Sequence, residues 1–140
     1  MSRQPPTHIT YGSDKKPSVD EYVDLLARST LGKRRPVDDN ARMRAMLDHA
    51  NLVCTAWHGD LLVGVARSLT DFAYCCYLAD LSVDQAWQRQ GIGQELIRQT
   101  RLKLHPKAKI VLISAPAAIE YYPHIGFNRH DSAWVLPGEA

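Results

Sequence analysis

The stretch from Tyr77 to Gln94 constrains the fold more than any other part of the sequence. It begins with an apolar run of strand character, Tyr77–Val83, passes through a polar loop, and reaches Gly91-x-Gly93 where a helical pattern starts. Glycine has no Cβ, so the backbone can approach a ligand closely, and the unpaired N–H groups of a helix start attract an anion. The stretch therefore predicts a strand, loop and helix that bind a phosphate or pyrophosphate.

Two common phosphate-binding motifs do not fit this stretch. A Rossmann fingerprint needs a third glycine, but Leu96 stands at that position, and no acidic residue ends a following strand at the usual distance. A P-loop needs Gly-Lys-Ser/Thr, which does not occur. The remaining pattern is Gln88-x-x-Gly91-x-Gly93, although a helix start without any ligand is an alternative explanation of the glycines.

A second motif follows one helix and one apolar run further along the chain. Its residues are Ala118, Tyr121, Tyr122, Gly126 and Phe127. Together the two motifs resemble those of the GNAT superfamily of acyl-CoA N-acyltransferases, which carry Gln/Arg-x-x-Gly-x-Gly/Ala and Ala-x-x-Phe-Tyr-x-x-x-Gly-Phe. The resemblance covers about residues 50–130. Two positions depart from it, because Ala115 stands where the family often has Asn, and Pro123 is unusual within the motif.

The resemblance implies acetyl-CoA as co-substrate and no metal. It places the diphosphate on the N–H groups of Gln90 to Gln94, with added charge from Arg89. The strand before this loop splays from its neighbour in the family, so Leu81 and Val83 are expected to pair with the pantetheine arm, and the Val83 N–H to stabilise an oxyanion. The expected cofactor-binding residues are Leu81, Ser82, Val83, Gln88, Arg89, Gln90, Gly91, Ile92, Gly93, Gln94, Ala118, Tyr121 and Tyr122.

The same resemblance assigns the proton transfers. Tyr122 matches the family's tyrosine beside the sulfur, and a phenol with an ordinary pKa of about 10 can donate a proton to the leaving thiolate. A core aromatic with a satisfied hydroxyl is the alternative. Asp80 is the leading candidate for the base, although its ordinary pKa near 4 makes it weak and strand alternation places it opposite Leu81 and Val83. Glu120, His124 and solvent are the other candidates.

Hydrophobic periodicity predicts the remaining elements of an α/β (α+β) fold. We expect an antiparallel meander followed by a parallel pair in one mixed sheet, flanked by about four helices, as a single N-acetyltransferase domain spanning residues 1–140. The predicted strands are 7–11, 52–57, 61–67, 72–83 and 109–113, with a last strand region at 127–136, and the strand 109–113 is expected to be buried on both faces. The predicted helices are 18–29, a second one capped by Asp38 or Asp39, a third after Gly91, and a fourth that runs from Pro116 to Tyr122 with Ser114 as its cap.

Composition narrows the functional classes. A formal net charge of +2 is too small to indicate nucleic-acid or membrane-surface binding. No apolar run approaches the roughly 20 residues of a membrane span, and the first residues lack the apolar core of a signal peptide, so a cytoplasmic location is expected. The cysteines Cys54, Cys75 and Cys76 lack metal-type spacing and indicate a reducing compartment. The sequence is compatible with a monomer or a homodimer.

The sequence therefore predicts an N-acetyltransferase that moves an acetyl group from acetyl-CoA to a primary amine by direct attack on the thioester. The acceptor is unidentified, and its selectivity is expected to come from the basic loop Leu31–Pro36 and the C-terminal segment, although this loop can equally be a solvated connector. A non-catalytic acyl-CoA binding or sensing module is the alternative function. Generic nucleotide binding is disfavoured by the missing third glycine and the absent P-loop lysine.

Overall fold

A computed structural model describes residues 8–139 of the chain. Its centre is one five-stranded sheet in which the strands lie in chain order. The first four strands pair antiparallel, and the last pair is parallel. The strands are β1 (Thr10–Gly12), β2 (Leu52–His58), β3 (Leu61–Thr70), β4 (Cys75–Val83) and β5 (Lys109–Val111). The predicted mixed sheet, a meander followed by a parallel pair, is confirmed.

Four α-helices flank the sheet, as predicted. They are α1 (Val19–Ala27), α2 (Asn40–Asp48), α3 (Ile92–Leu102) and α4 (Tyr121–His124). The predicted capping box forms at α1, where the Ser18 side chain accepts from the Glu21 N–H and the Glu21 side chain accepts from the Ser18 N–H. The side chain of Asp39 caps α2. A 3-10 helix, Thr30–Arg34, connects α1 to α2.

The sheet separates two apolar clusters. On one face, α1 and α2 cover the sheet with fully buried Tyr22, Leu25, Leu26 and Met43. On the other face, α3 contributes Ile92 and Leu96 to a cluster with β2, β3 and β4. Because the helices on each face of the sheet bury one apolar side, their apolar residues recur with the helical period in the sequence. None of the helices between residues 8 and 139 is long and apolar enough to cross a lipid bilayer.

A β-bulge in β4 turns one charged side chain toward α1. Arg67 of β3 pairs with Asp80, whereas the next residue, Ser68, pairs with Leu78, so Ala79 has no partner on β3. One extra residue reverses the alternation of side chains along a strand. Leu78 and Leu81 therefore both belong to the α3 side, and Asp80 lies on the α1 side, where Tyr22 contacts it.

The C-terminal third differs from the predictions. The run 109–113 is not buried on both faces, because β5 is the edge strand of the described sheet and Val111 and Ile113 are 46% and 57% exposed. The predicted strand 127–136 does not form within the described residues, and Trp134 in it is 92% exposed. The residue at the N-cap of the 3-10 helix Pro116–Ala118 is Ala115, not Ser114.

Helix α4 does not close at Tyr122 but continues through Pro123 to His124. Pro123 is the third residue of this helix, where the backbone N–H has no intrahelical acceptor, so the missing donor costs nothing. The predicted strand at residues 7–11 begins later, at Thr10, and Thr7 lies outside the described residues.

Candidate active site

A cleft opens where β4 and β5 separate. The two strands pair only from Cys75 with Lys109 to Tyr77 with Val111, and β4 then continues for six residues without β5 beside it. The cleft is lined by Leu78, Ala79 and Leu81 of β4 on one side and by Leu112, Ile113 and Ala115 on the other, and Ala118 and Tyr122 also contribute to its wall.

The backbone of β4 turns unpaired groups toward this cleft. The N–H of Asp84 donates to the carbonyl of Val63 on β3 at 2.9 Å. Because successive residues of a strand direct their backbone groups to alternate sides, Ser82 faces β3, and Leu81 and Val83 direct their N–H and C=O groups to the opposite side. The Val83 carbonyl accepts there from the Gln88 side chain at 3.2 Å. Leu81 and Val83 thus offer main-chain groups to a ligand in the cleft.

The start of α3 presents a row of unpaired N–H groups at the end of β4. Gly91 is the N-cap residue with a φ of 81°, and its carbonyl accepts the first helical bond, from the Glu95 N–H. The N–H groups of Gly91, Ile92, Gly93 and Gln94 precede that first bond, and no side chain caps them. Together with the helix dipole they form a site for an anion.

The two glycines serve different purposes. Gly91 adopts the left-handed conformation that favours glycine, and a Cβ there would meet nothing within 4 Å. Gly93 is a point of close approach, because a Cβ there would lie 3.2 Å from the Tyr121 hydroxyl and 3.8 Å from Val83 Cγ2. Tyr121 therefore lies against the glycine loop. A residue that binds the cofactor is expected to lie there.

Tyr122 lies in the wall of the cleft and belongs to an aromatic cluster. Its ring makes edge contacts with Tyr121 and Phe127, with ring centroids 5.3 and 5.4 Å away. The Phe127 N–H closes this turn by donating to the Tyr122 carbonyl at 3.1 Å. Burial, and to a smaller extent Tyr121, raises the pKa of the Tyr122 phenol above its ordinary value. The hydroxyl consequently stays protonated at neutral pH and can act as a donor.

Asp80, the predicted base, is held in an ion-pair network on the other face of the sheet. Its fully buried carboxylate accepts from the Tyr22 hydroxyl, from Arg35 Nε at 2.7 Å and from Arg67 Nε at 2.6 Å. Burial alone would raise the pKa of Asp80, but the hydrogen bond and charge of Arg67, together with the hydrogen bonds from Tyr22 and Arg35, outweigh burial and lower it. A carboxylate so paired is poorly suited to remove a proton.

The other expected site residues lie in different surroundings, and only some of them can reach a ligand in the cleft. Ala118 lines the cleft with Tyr122, whereas the Ser82 hydroxyl is buried on the opposite side of β4 and donates to the Ser29 hydroxyl at 2.7 Å. Since the backbone groups of Ser82 face β3, neither its side chain nor its main chain is directed to the cleft. Arg89, Gln90 and Gln94 are exposed beside the glycine loop, where their side chains are free to reach a ligand. Glu120 and His124, the alternative bases, are exposed and do not line the cleft.

The structure adds residues that were not expected by name. Thr30, Leu31, Arg34 and Arg35 of the loop between α1 and α2 line the end of the cleft next to Ala79. From the sequence, the loop Leu31–Pro36 was expected to govern acceptor selectivity, but none of its residues was named as a site residue. Its placement at the cleft depends on the long-range bonds from Arg35 to Asp80 and to the Ala79 carbonyl, which no local pattern records.

The chain is similar in sequence to several known proteins. Residues 25–136 match the family model described as the acetyltransferase (GNAT) domain. An uncharacterized N-acetyltransferase ycf52 of Gracilaria tenuistipitata var. liui is 25% identical over 79% of this chain. A ycf52-like protein of Prochlorococcus marinus is 27% identical over 76% of it. The chain spans only 65% and 61% of the length of these two relatives.

Solved structures share the fold at low identity. A probable acetyltransferase from methicillin-resistant Staphylococcus aureus has a TM-score of 0.77 at 17% identity, covering 95% of this chain and all of that one. An aminoglycoside N-acetyltransferase, AAC(6')-Iy, solved in complex with CoA, has a TM-score of 0.72 at 15% identity, covering 99% of this chain and all of the other.

Proposed function

Because this chain belongs to the GNAT family of acetyltransferases, we propose that it transfers an acetyl group from acetyl-CoA to a primary amine by direct attack on the thioester. In this proposal one domain, residues 1–140, carries both binding sites. The family match and the N-acetyltransferase relatives support the enzyme class. The neighbour solved with CoA supports the choice of cofactor class.

The observation that carries the proposal is that three features lie next to one another along β4 and its cleft. They are the cleft-facing backbone groups of Leu81 with the N–H of Val83, the unpaired N–H groups of residues 91–94, where Gly93 lies against both of these β4 residues, and Tyr122 in the wall of the cleft. An acetyl-CoA molecule has a diphosphate at one end and a thioester at the other, with the pantetheine arm between them. It needs, in that order, an anion site, a strand with free backbone groups that pair with the arm, and a proton donor for the thiolate. Anchoring the diphosphate away from the reacting carbon positions the acyl group for attack.

In the proposed reaction, the neutral amine attacks the thioester carbonyl carbon and forms a tetrahedral intermediate. The Val83 N–H, which faces the cleft, donates to the oxyanion. Collapse of the intermediate breaks the carbon–sulfur bond, and the Tyr122 hydroxyl donates its proton to the departing thiolate. Within the described residues the cleft lining contains no carboxylate or histidine. We therefore propose that the attacking nitrogen loses its excess proton to water, that water returns a proton to the Tyr122 phenolate, and that Asp80 supports the structure.

Release of the CoA thiol from acetyl-CoA, measured with a panel of primary amines, tests this function. We expect amine-dependent turnover in the wild type and roughly a hundredfold loss of kcat in Tyr122→Phe, because general acid catalysis contributes about 10² to 10⁴. Tyr74→Phe is the matched control, since it removes an exposed phenol that does not line the cleft. Tight acetyl-CoA binding without turnover on any amine would instead indicate a sensing module.

A further inference from the structure

We propose that the acceptor of this enzyme is a primary amine that also carries a carboxylate, and that Arg34 and Arg35 bind that carboxylate. The inference rests on the proposed function, because it assigns the acceptor end of the same cleft. It separates this chain from enzymes whose acceptors are polycations. Arginine suits the task because its planar guanidinium pairs with a carboxylate through two parallel hydrogen bonds.

The charge of the cleft lining is entirely positive. Among the described residues that line the cleft, the charged ones are Arg34 and Arg35. Asp38 and Asp39 follow this loop in sequence but do not line the cleft, and Asp39 is engaged in capping α2. A polycationic acceptor would therefore meet like charge at the mouth of the site, whereas a carboxylate would meet opposite charge.

The nearest carboxylate cannot offset this charge toward a ligand. Asp80 has no exposed side-chain surface and already pairs with both Arg35 and Arg67. One buried carboxylate therefore faces two guanidinium groups, and Arg34 adds a third. Arg67 is buried, whereas Arg34 is exposed at the cleft. The positive charge that Asp80 does not balance is therefore directed to the cleft.

Arg35 is fixed in place but keeps donors to spare. Its Nε donates to Asp80 at 2.7 Å, its Nη2 to the Ala79 carbonyl at 2.9 Å, and its Nη1 to the Arg34 carbonyl at 2.9 Å. A guanidinium has five N–H donors, so these three bonds leave two. Arg35 thus holds the loop against the β-bulge and presents an oriented positive charge to the cleft.

Arg34 supplies the accessible half of this site. Its side chain is exposed at the cleft and makes no hydrogen bond or salt bridge to any residue in the range 8–139. The short helix Thr30–Arg34 that carries it is anchored by the Ser29 hydroxyl, which accepts from the Leu31 N–H at 3.2 Å. An unpaired guanidinium on an anchored backbone can bind a carboxylate without breaking an existing contact.

The position of the two arginines along β4 assigns them to the acceptor and not to the cofactor diphosphate. Arg35 is bonded to Ala79, and the glycine loop lies beyond Val83, four residues further along the strand. At about 3.3 Å per residue, Ala79 and Val83 are roughly 13 Å apart, and the glycine loop lies against the Leu81 to Val83 end of this segment. The diphosphate at Gly91 and the carboxylate at Arg34 therefore occupy opposite ends of the site, with the thioester between them.

A pair of acceptors that differ only in charge tests the inference. We choose 5-aminopentanoate and 5-aminopentanamide, because their amines are far enough from the variable group to be nearly equal in basicity. Transfer kinetics with acetyl-CoA and calorimetric titration of the CoA-bound protein are measured with both. The titration reports acceptor preference even where no transfer occurs, so a failure of the proposed catalysis is distinguishable from a failure of this inference.

We expect 5-aminopentanoate to be preferred by roughly tenfold in both measurements, as for one hydrogen bond to a charged group. Arg34→Gln should remove most of that preference and Arg34→Glu should reverse it, with the KM for acetyl-CoA unchanged. Lys33→Gln is the matched control, because Lys33 is an exposed cation of the same loop that does not line the cleft. Equal or better use of the amide, or a preference that Arg34→Gln leaves intact, would overturn the inference.

Discussion

Replacing Gly91 with alanine separates the cofactor-binding role of the glycine loop from its folding role. Gly91 has a φ of 81°, and a Cβ at this position would enter open space, with no atom within 4 Å. Gly59, in the hairpin between β2 and β3, has a φ of 57° and equally open surroundings. The two glycines therefore pose the same backbone problem, but only Gly91 lies where the diphosphate is proposed to bind.

The expected magnitudes follow from this match. A left-handed conformation costs an alanine about 1–2 kcal/mol, and part of that is offset because alanine restricts the unfolded chain. We therefore expect both Gly91→Ala and Gly59→Ala to lower the free energy of unfolding by about 1 kcal/mol. A methyl group at Gly91 also fills the space that a bound phosphate oxygen would approach. Loss of one charge-assisted hydrogen bond, worth about 1.5 kcal/mol or more, corresponds to about tenfold in affinity.

Urea unfolding gives the stability of each variant, and calorimetry gives its affinity for acetyl-CoA. We expect the two variants to be equally destabilised, with acetyl-CoA binding weakened roughly tenfold in Gly91→Ala alone. Equal affinities in the two variants would refute the proposed diphosphate site. Collapse of Gly91→Ala, with Gly59→Ala folded, would show that the role of Gly91 is structural.

The ion-pair network around Asp80 supports two further predictions. Asp80→Asn leaves Arg35 and Arg67 without their buried counter-charge and should cost about 3–5 kcal/mol in urea unfolding, whereas Asp24→Asn, which breaks an exposed pair with Arg28, should cost less than about 1 kcal/mol. Equal costs for the two variants would contradict this account. The pKa of Asp80 is lowered in the folded protein, so its contribution to the free energy of unfolding is present above the ordinary pKa of about 3.9 and is lost as the pH falls through the folded value. Burial and the Asp80 charge raise the pKa of Tyr22, so its contribution is present below its ordinary pKa of about 10 and is lost at higher pH. Tyr22→Phe should therefore flatten the alkaline decline in stability, and an unchanged decline would exclude Tyr22 as its source.

The sequence predicted best the parts of the fold that local physics determines. The capping box at Ser18 and Glu21 set the start of α1, and Gly91 marked the start of α3. The change from a helical to a strand period in the hydrophobic pattern predicted the meander, and two motifs in the right order identified the family. These signals are local, so they can be read without knowledge of the neighbours in space.

The failures come from contacts that only the folded chain creates. The run 109–113 has the composition of a central strand, but β5 has no strand on its outer side within the described residues. The ion-pair network of Asp80 was not predicted, because the bulge at Ala79 directs Asp80 to Tyr22 and Arg35 reaches it from 45 residues away in sequence. The position of Arg34 and Arg35 at the cleft could not be predicted for the same reason, although the loop Leu31–Pro36 was expected to govern acceptor selectivity.

The most direct test of the account is a ¹⁵N–¹H spectrum of the protein titrated with acetyl-CoA. We predict that the largest shifts occur at the amides of Gly91, Ile92, Gly93 and Gln94, with further shifts at Leu81 and Val83, because these are the N–H groups left unpaired along the cleft. Saturable binding that leaves these six amides unshifted, or the absence of binding at millimolar acetyl-CoA, would contradict the central claim that they hold the cofactor.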